Sequence, residues 1–251
     1  MKKCTIAAGI VALAVMLPVS AYAITLDLTS AGASGSINGA YFQQVGPQPT
    51  GTGFIDSFVE IISNADIVDA YNTTVNDVLD NGSSDEFNHE LLVSELPIVA
   101  LNGGLYYQFL LDIDQSGSEP FLSLDEIQIF VSNTPNQSVD TFTGGILNLA
   151  DATPVYRLDA GGDNWIWLDY SLNSGSGSGD MFMYVPTSLI TGGDYVYLYS
   201  RFGENYEAND GFEEWAIIAG QECVIPEPAT MVLMITGLAG IFCLKKKHTL
   251  G

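Results

Sequence analysis

The chain of 251 residues carries 30 Asp and Glu against 7 Lys and Arg, a formal net charge of −23 at pH 7. Five of those cations are Lys2, Lys3 and Lys245 to Lys247, which leaves Arg157 and Arg201 as the only ones in between. So few cationic donors argue against a nucleic-acid partner, and so negative a field attracts cations instead, calcium above all outside the cell.

The chain begins like an export signal. Met1-Lys2-Lys3 is a positive start, residues 6–17 are an apolar run, and Ala21-Tyr22-Ala23 is a small-x-small cleavage site. Residues 1–23 are therefore expected to be removed, with Ile24 as the new N-terminus. Cys4 precedes the apolar run, which is not the arrangement of a lipoprotein signal. Residues 24–223 form the body, about 200 residues and enough for one sandwich-sized domain. Cys223 is the only cysteine within it, so an internal disulfide is excluded. His89 is the only histidine of the body, and no nucleophile-elbow motif accompanies it, so we expect a non-enzymatic body without a His-rich zinc site.

Short β-prone runs broken by Gly, Asn, Asp, Ser and Pro dominate the body. Strands are expected near 24–29, 39–44, 54–62, 105–113, 126–131, 155–158, 165–170, 181–185, 195–202 and 215–219. In the 195–202 run, Tyr195, Tyr197 and Tyr199 fall on one face and Val196 and Leu198 on the other, the period of a sheet. About ten strands at this spacing predict an all-β fold, a β-sandwich, with the jelly roll as a candidate type. A short helix is expected over 66–79 and a single helical turn over 186–190.

The most specific internal stretch is 110–126. Asp112, Asp114 and Ser116 alternate, Gly117 allows a sharp turn, and Ser118 can offer its carbonyl, which are positions 1, 3, 5, 6 and 7 of an EF-hand-like calcium loop. Position 12, where a bidentate Glu belongs, is Ser123, and Asp125 and Glu126 follow it. The expectation is a calcium loop on a β-scaffold, its acids drawn together by pairing of the flanking strands; the alternative is a plain acidic hairpin. Trp165 and Trp167 share a strand face with Asp169. Exposed, they would suit a sugar ring; in the core, they would simply fill space. Ser174 to Gly179 alternates Ser and Gly, and is expected to be a flexible connection between strands.

The last 28 residues form a tail of three parts. Pro226-Glu227-Pro228 must lie extended. Residues 229–244 are an apolar run suited to a short membrane helix, and Lys245-Lys246-Lys247 marks its cytoplasmic end. This order resembles the PEP-CTERM sorting signal of Gram-negative bacteria. The resemblance implies transient anchoring in the inner membrane, processing by the transpeptidase exosortase, and delivery to the cell surface or extracellular matrix in a setting of exopolysaccharide production. The 110–126 stretch, with 197–203 and 210–215, resembles a body type recurrent among such proteins, to which no activity is attached. The leading expectation is thus an exported, exopolysaccharide-associated matrix protein, possessing a calcium-binding loop. A carbohydrate-binding module using Trp165 and Trp167, and a secreted glycoside hydrolase using two carboxylates, are the alternatives.

Overall fold

Runs that alternate apolar and polar residues, separated by residues that turn the chain, pair into sheets. The structure is a computed structural model describing residues 23–46 and 55–218, apart from 63, 83 and 176. Ala21, Cys223, Pro226, Glu227, Pro228 and the expected membrane helix lie outside the described residues. The first strands are β1 (Thr25–Asp27), β2 (Ser34–Ile37), β3 (Ala40–Gln44), β4 (Ile55–Ile61), β5 (Val68–Tyr71), β6 (Leu91–Leu92), β7 (Ile98–Leu101) and β8 (Gly104–Asp112). Then follow β9 (Phe121–Ser132), β10 (Phe142–Thr143), β11 (Ile146–Leu147), β12 (Ala152–Arg157), β13 (Trp165–Asp169), β14 (Met181–Pro186), β15 (Tyr195–Phe202) and β16 (Glu213–Ile218). Among the described residues the helical content is two short 3₁₀ turns, Val93–Glu95 and Tyr170–Leu172.

The expected all-β class is what forms. Sheet I has seven strands in the order β1-β13-β9-β15-β5, with β12 also on β9 and β6 on β15. Sheet II has seven in the order β2-β3-β14-β8-β16-β4, with β7 on β8. The β10–β11 hairpin stands apart from both. Among the strand pairs β1–β13 is parallel and the rest are antiparallel. Leu122, Ile127 and Leu198 of sheet I join Phe42, Phe109 and Trp215 of sheet II in one buried cluster. Trp215 also donates from Nε1 to Ser200 Oγ at 2.9 Å, tying β16 of one sheet to β15 of the other.

Three expectations are corrected. The 66–79 segment is not a helix: Val68–Tyr71 pairs with β15, and turns follow. Its apolar spacing fitted a helix, but the open edge of β15 offers its backbone a full ladder. The 186–190 segment is a turn closed by Leu189 N on Pro186 O at 2.9 Å. Most importantly, β8 and β9 do not pair. The 113–120 connection carries the chain from sheet II to sheet I, so strand pairing does not gather the acids at its two ends.

Candidate functional site

The acids of the 110–126 stretch separate into two groups. Asp112 ends β8 on the face turned from the core, next to inward-facing Leu111. Its partner across to β16 is Glu214, and Glu214 pairs in turn with Glu60 of β4. On the other side, one step beyond the Met181–Leu111 pair, stands Asp180. Register alone therefore lines up Asp180, Asp112, Glu214 and Glu60 across four neighbouring strands, an arrangement in which like charges repel.

The surroundings hold this row in place without neutralising it. Gly177 N donates to Asp112 Oδ2 at 2.8 Å and Ile113 N to Asp180 Oδ2 at 2.9 Å. Ser57 donates its hydroxyl to Glu214, and Gln115 Nε2 reaches Glu213 Oε1 at 3.2 Å. Gly177 and Ser178 of the Ser-Gly stretch thus hold Asp112 through their amides. Asp112 and Asp180 are 5 % and 4 % exposed, and the second oxygen of each, Oδ1, is buried with no hydrogen-bond partner. Burial pushes the Asp112 carboxyl up to about 7, with the Glu214 and Asp114 charges adding to it against the Gly177 and Ser178 amides. Burial likewise lifts Asp180 to about 8, helped by Asp112, Asp114 and Asp169, and lifts Glu213 to about 8. Asp114 stands close enough to act on both aspartates, and its carboxylate bonds the Tyr170 hydroxyl. Ser116 and Ser118 bond each other at 3.0 Å, while Ser116 N donates to Asn209 Oδ1 at 2.7 Å. Among the described residues, no three carboxylate, imidazole or thiol side chains are already arranged around a metal position. Two oxygens left without donors in a buried, acid-rich row are nonetheless suited to a hard cation, whose remaining ligands can be carbonyls and water.

Asp125 and Glu126 lie elsewhere, on the face of β9 turned from the core, where a bulge separates Leu124 from Glu126. Asp125 accepts from Glu204 N at 2.7 Å, Asn205 Nδ2 at 2.8 Å and Ser123 Oγ at 2.8 Å. Ser123 Oγ in turn accepts from Asn205 N at 3.0 Å and Tyr206 N at 2.9 Å. Ser123 and Asp125 are therefore clamps for the 203–206 loop. Glu126 bonds Asp159 side chain to side chain, and burial, with the Asp159 charge next, raises its proton affinity. Of the expected ligands, Asp112 and Asp114 thus stand beside Asp180 and Glu214, while Asp125 is bonded to the 203–206 loop and Glu126 to Asp159.

That clamp builds a second feature. Ile166 and Leu168 of β13 enter the core, so Trp165 and Trp167 face outward, both half-buried. Tyr206 on the clamped loop stacks on Trp167 with centroids 4.9 Å apart and planes at 18°, and lies 5.8 Å from Trp165. Phe121, 39 % exposed, sits 5.3 Å from Trp167 and 6.2 Å from Tyr206. A groove of about 460 Å³ runs beside them, lined by Ser118 to Phe121 and by Asn205 to Glu207 with Asn209. The tryptophans do not fill the core. Sequence placed them on one face but gave no sign of Tyr206 or Phe121, which arrive through the loop clamp and the start of β9.

No family model matches the chain, and neither a curated protein nor a solved structure is significantly similar to it.

Proposed function

We propose that this is an exported β-sandwich protein of the cell surface or extracellular matrix that associates with exopolysaccharide and is not an enzyme. The two export-type ends of the sequence supply the destination, with the inner membrane and exosortase as transient partners. The aromatic surface of Phe121, Trp165, Trp167 and Tyr206 supplies the activity and is the observation that carries this reading. Aromatic faces pack against the C–H faces of sugar rings, while Asn205, Glu207 and Asn209 in the adjoining groove offer donors and acceptors for hydroxyls. Calcium is proposed at the Asp112–Asp180 end of sheet II, with Asp114 and Glu214 as neighbouring acids, where it stabilises the body.

Glycoside hydrolysis draws less support. Its two carboxylates stand about 5–9.5 Å apart to admit a nucleophile or a water, whereas Glu126 and Asp159 bond each other directly. The test is affinity electrophoresis of the full chain in gels containing exopolysaccharide from the native host. Retardation is expected, with most of it lost in the double variant Trp165→Ala, Trp167→Ala. Equal mobility with and without polysaccharide, or unchanged retardation of the variant, refutes the reading.

A further inference from the structure

The two arginines of the body stand together. Arg157 ends β12 opposite Gln128 of β9, and Gln128 lies opposite Tyr199 of β15. Two residues on, Glu126 pairs with Arg201, and Arg201 pairs with Asp69 of β5. Residues directly opposite, or two apart along a strand, share a face. Two polar rows, Arg157-Gln128-Tyr199 and Glu126-Arg201-Asp69, therefore lie side by side on the face of sheet I turned from the core. They floor a cavity of about 410 Å³, which Asp159 also lines, a size within the ~300–1,000 Å³ common for small-ligand sites.

The β10–β11 hairpin forms its rim. Gly144 and Gly145, with φ of 58° and 79°, make the tight turn. Gln128 fixes that turn with both ends of its amide, donating to Gly145 O at 2.6 Å and accepting from Leu147 N at 3.1 Å. Phe142 leans over the cavity with its ring 5.3 Å from that of Tyr199, yet stays 38 % exposed.

The polar groups in this cavity are incompletely matched. Arg157 meets Glu126 at only 3.7 Å, and Arg201 meets Glu204 at 2.8 Å. The Nε atoms of both arginines are buried and have no hydrogen-bond partner. Burial raises the proton affinity of Asp69, Glu126 and Asp159, so the carboxyls and the two guanidiniums come near to balance and favour neither a cation nor an anion. A hydroxyl serves both kinds of group at once, accepting from a guanidinium while donating to a carboxylate. Adjacent hydroxyls on a ring present that pairing twice, and the ring face can rest against Phe142.

We infer that the cavity bounded by Arg157, Arg201, Glu126, Asp69 and Phe142 binds a single uncharged sugar residue. It is separate from the aromatic surface and shares with it only the class of ligand. The assay is saturation-transfer NMR and calorimetry of the full chain with methyl glycosides of glucose, galactose, mannose and N-acetylglucosamine, with galacturonate and spermidine as charged controls. At least one neutral glycoside is expected to bind, and the charged controls are not. Arg201→Gln should weaken binding about tenfold or more by removing a charged donor. Phe142→Ala, at a position 38 % exposed, should weaken it severalfold. The inference fails if no neutral glycoside binds, if a charged control binds instead, or if Phe142→Ala and Arg201→Gln both retain full affinity. Loss on Trp165→Ala alone would assign the binding to the aromatic surface and equally overturn it.

Discussion

Asp112, Asp180 and Glu213 keep their protons in the folded chain up to about pH 7, 8 and 8, because burial disfavours their charged forms. In an unfolded chain, ordinary carboxyls release theirs near pH 4. Between these limits the folded state binds more protons than the unfolded one. Their contribution to stability is thus complete below about pH 4 and is lost as pH rises through 7 to 8. One pKa unit on one group corresponds to about 1.4 kcal/mol, and ~1 kcal/mol moves the melting temperature of a domain this size by about 2–4 °C. The melting temperature is expected to be higher by several degrees at pH 5 than at pH 8, opposite to usual acid denaturation. At pH 8, millimolar calcium should restore the difference where sodium of matched ionic strength does not. Asp180→Asn should flatten the pH slope and reduce the calcium increment. A flat profile, or an Asp180→Asn variant with the full increment, would show that the acid row neither titrates nor binds the cation.

Between strands, the decisive element is the 203–206 loop, held by two side chains of β9. Ser123 accepts two backbone N–H groups from it and donates to Asp125, which accepts two more donors. Ser123→Ala leaves two amides without their acceptor, each costing about 1–3 kcal/mol where buried. These amides are only part-buried, so the expected outcome is a loss of about 1–2 kcal/mol by denaturant unfolding, with a change in tryptophan fluorescence as Tyr206 leaves Trp167. Retained stability and an unchanged spectrum would show that the loop holds itself. This is also where the sequence was hard to read. The strand over 195–202 was visible because its tyrosines alternate with Val196 and Leu198, and it forms as Tyr195–Phe202. Asn38-Gly39 and Asn102-Gly103, with φ values of 49°, 92°, 50° and 82°, are the tight-turn signature that could have revealed β2 and β7. Asp125 offered no such sign. Carboxylates that bind metal and carboxylates that cap a loop have the same spacing in sequence, and only the crossing between sheets tells them apart.

For the whole molecule, the register of the sheets decides which distant residues become neighbours. Asp180 lies far from Asp112 in sequence, and Arg157 far from Arg201, so neither pairing was legible before the strand order was known. Trp215 carries the join between the sheets: it is fully buried, and its indole donates to Ser200 across the core. Trp215→Ala is expected to cost about 3–5 kcal/mol, as large core truncations do, whereas Ser200→Ala should cost only ~1 kcal/mol. Chemical denaturation measures both, and equal small losses would mean that Trp215 does not couple the sheets.

The place of β16 also sets a timetable. It is the last strand of the described chain, yet it lies inside sheet II, between β8 and β4. During synthesis, everything up to Gly211 can emerge while β8 and β4 still face each other across a vacant slot. A ribosome therefore releases a body whose second sheet closes only when Ile218 is free. Contacts this distant in sequence form slowly, and until then the edges of β8 and β4 are open to pairing with another chain. The interval between the emergence of β8 and that of β16 is thus the period when this chain is most prone to misassembly, and chaperone protection would matter most then.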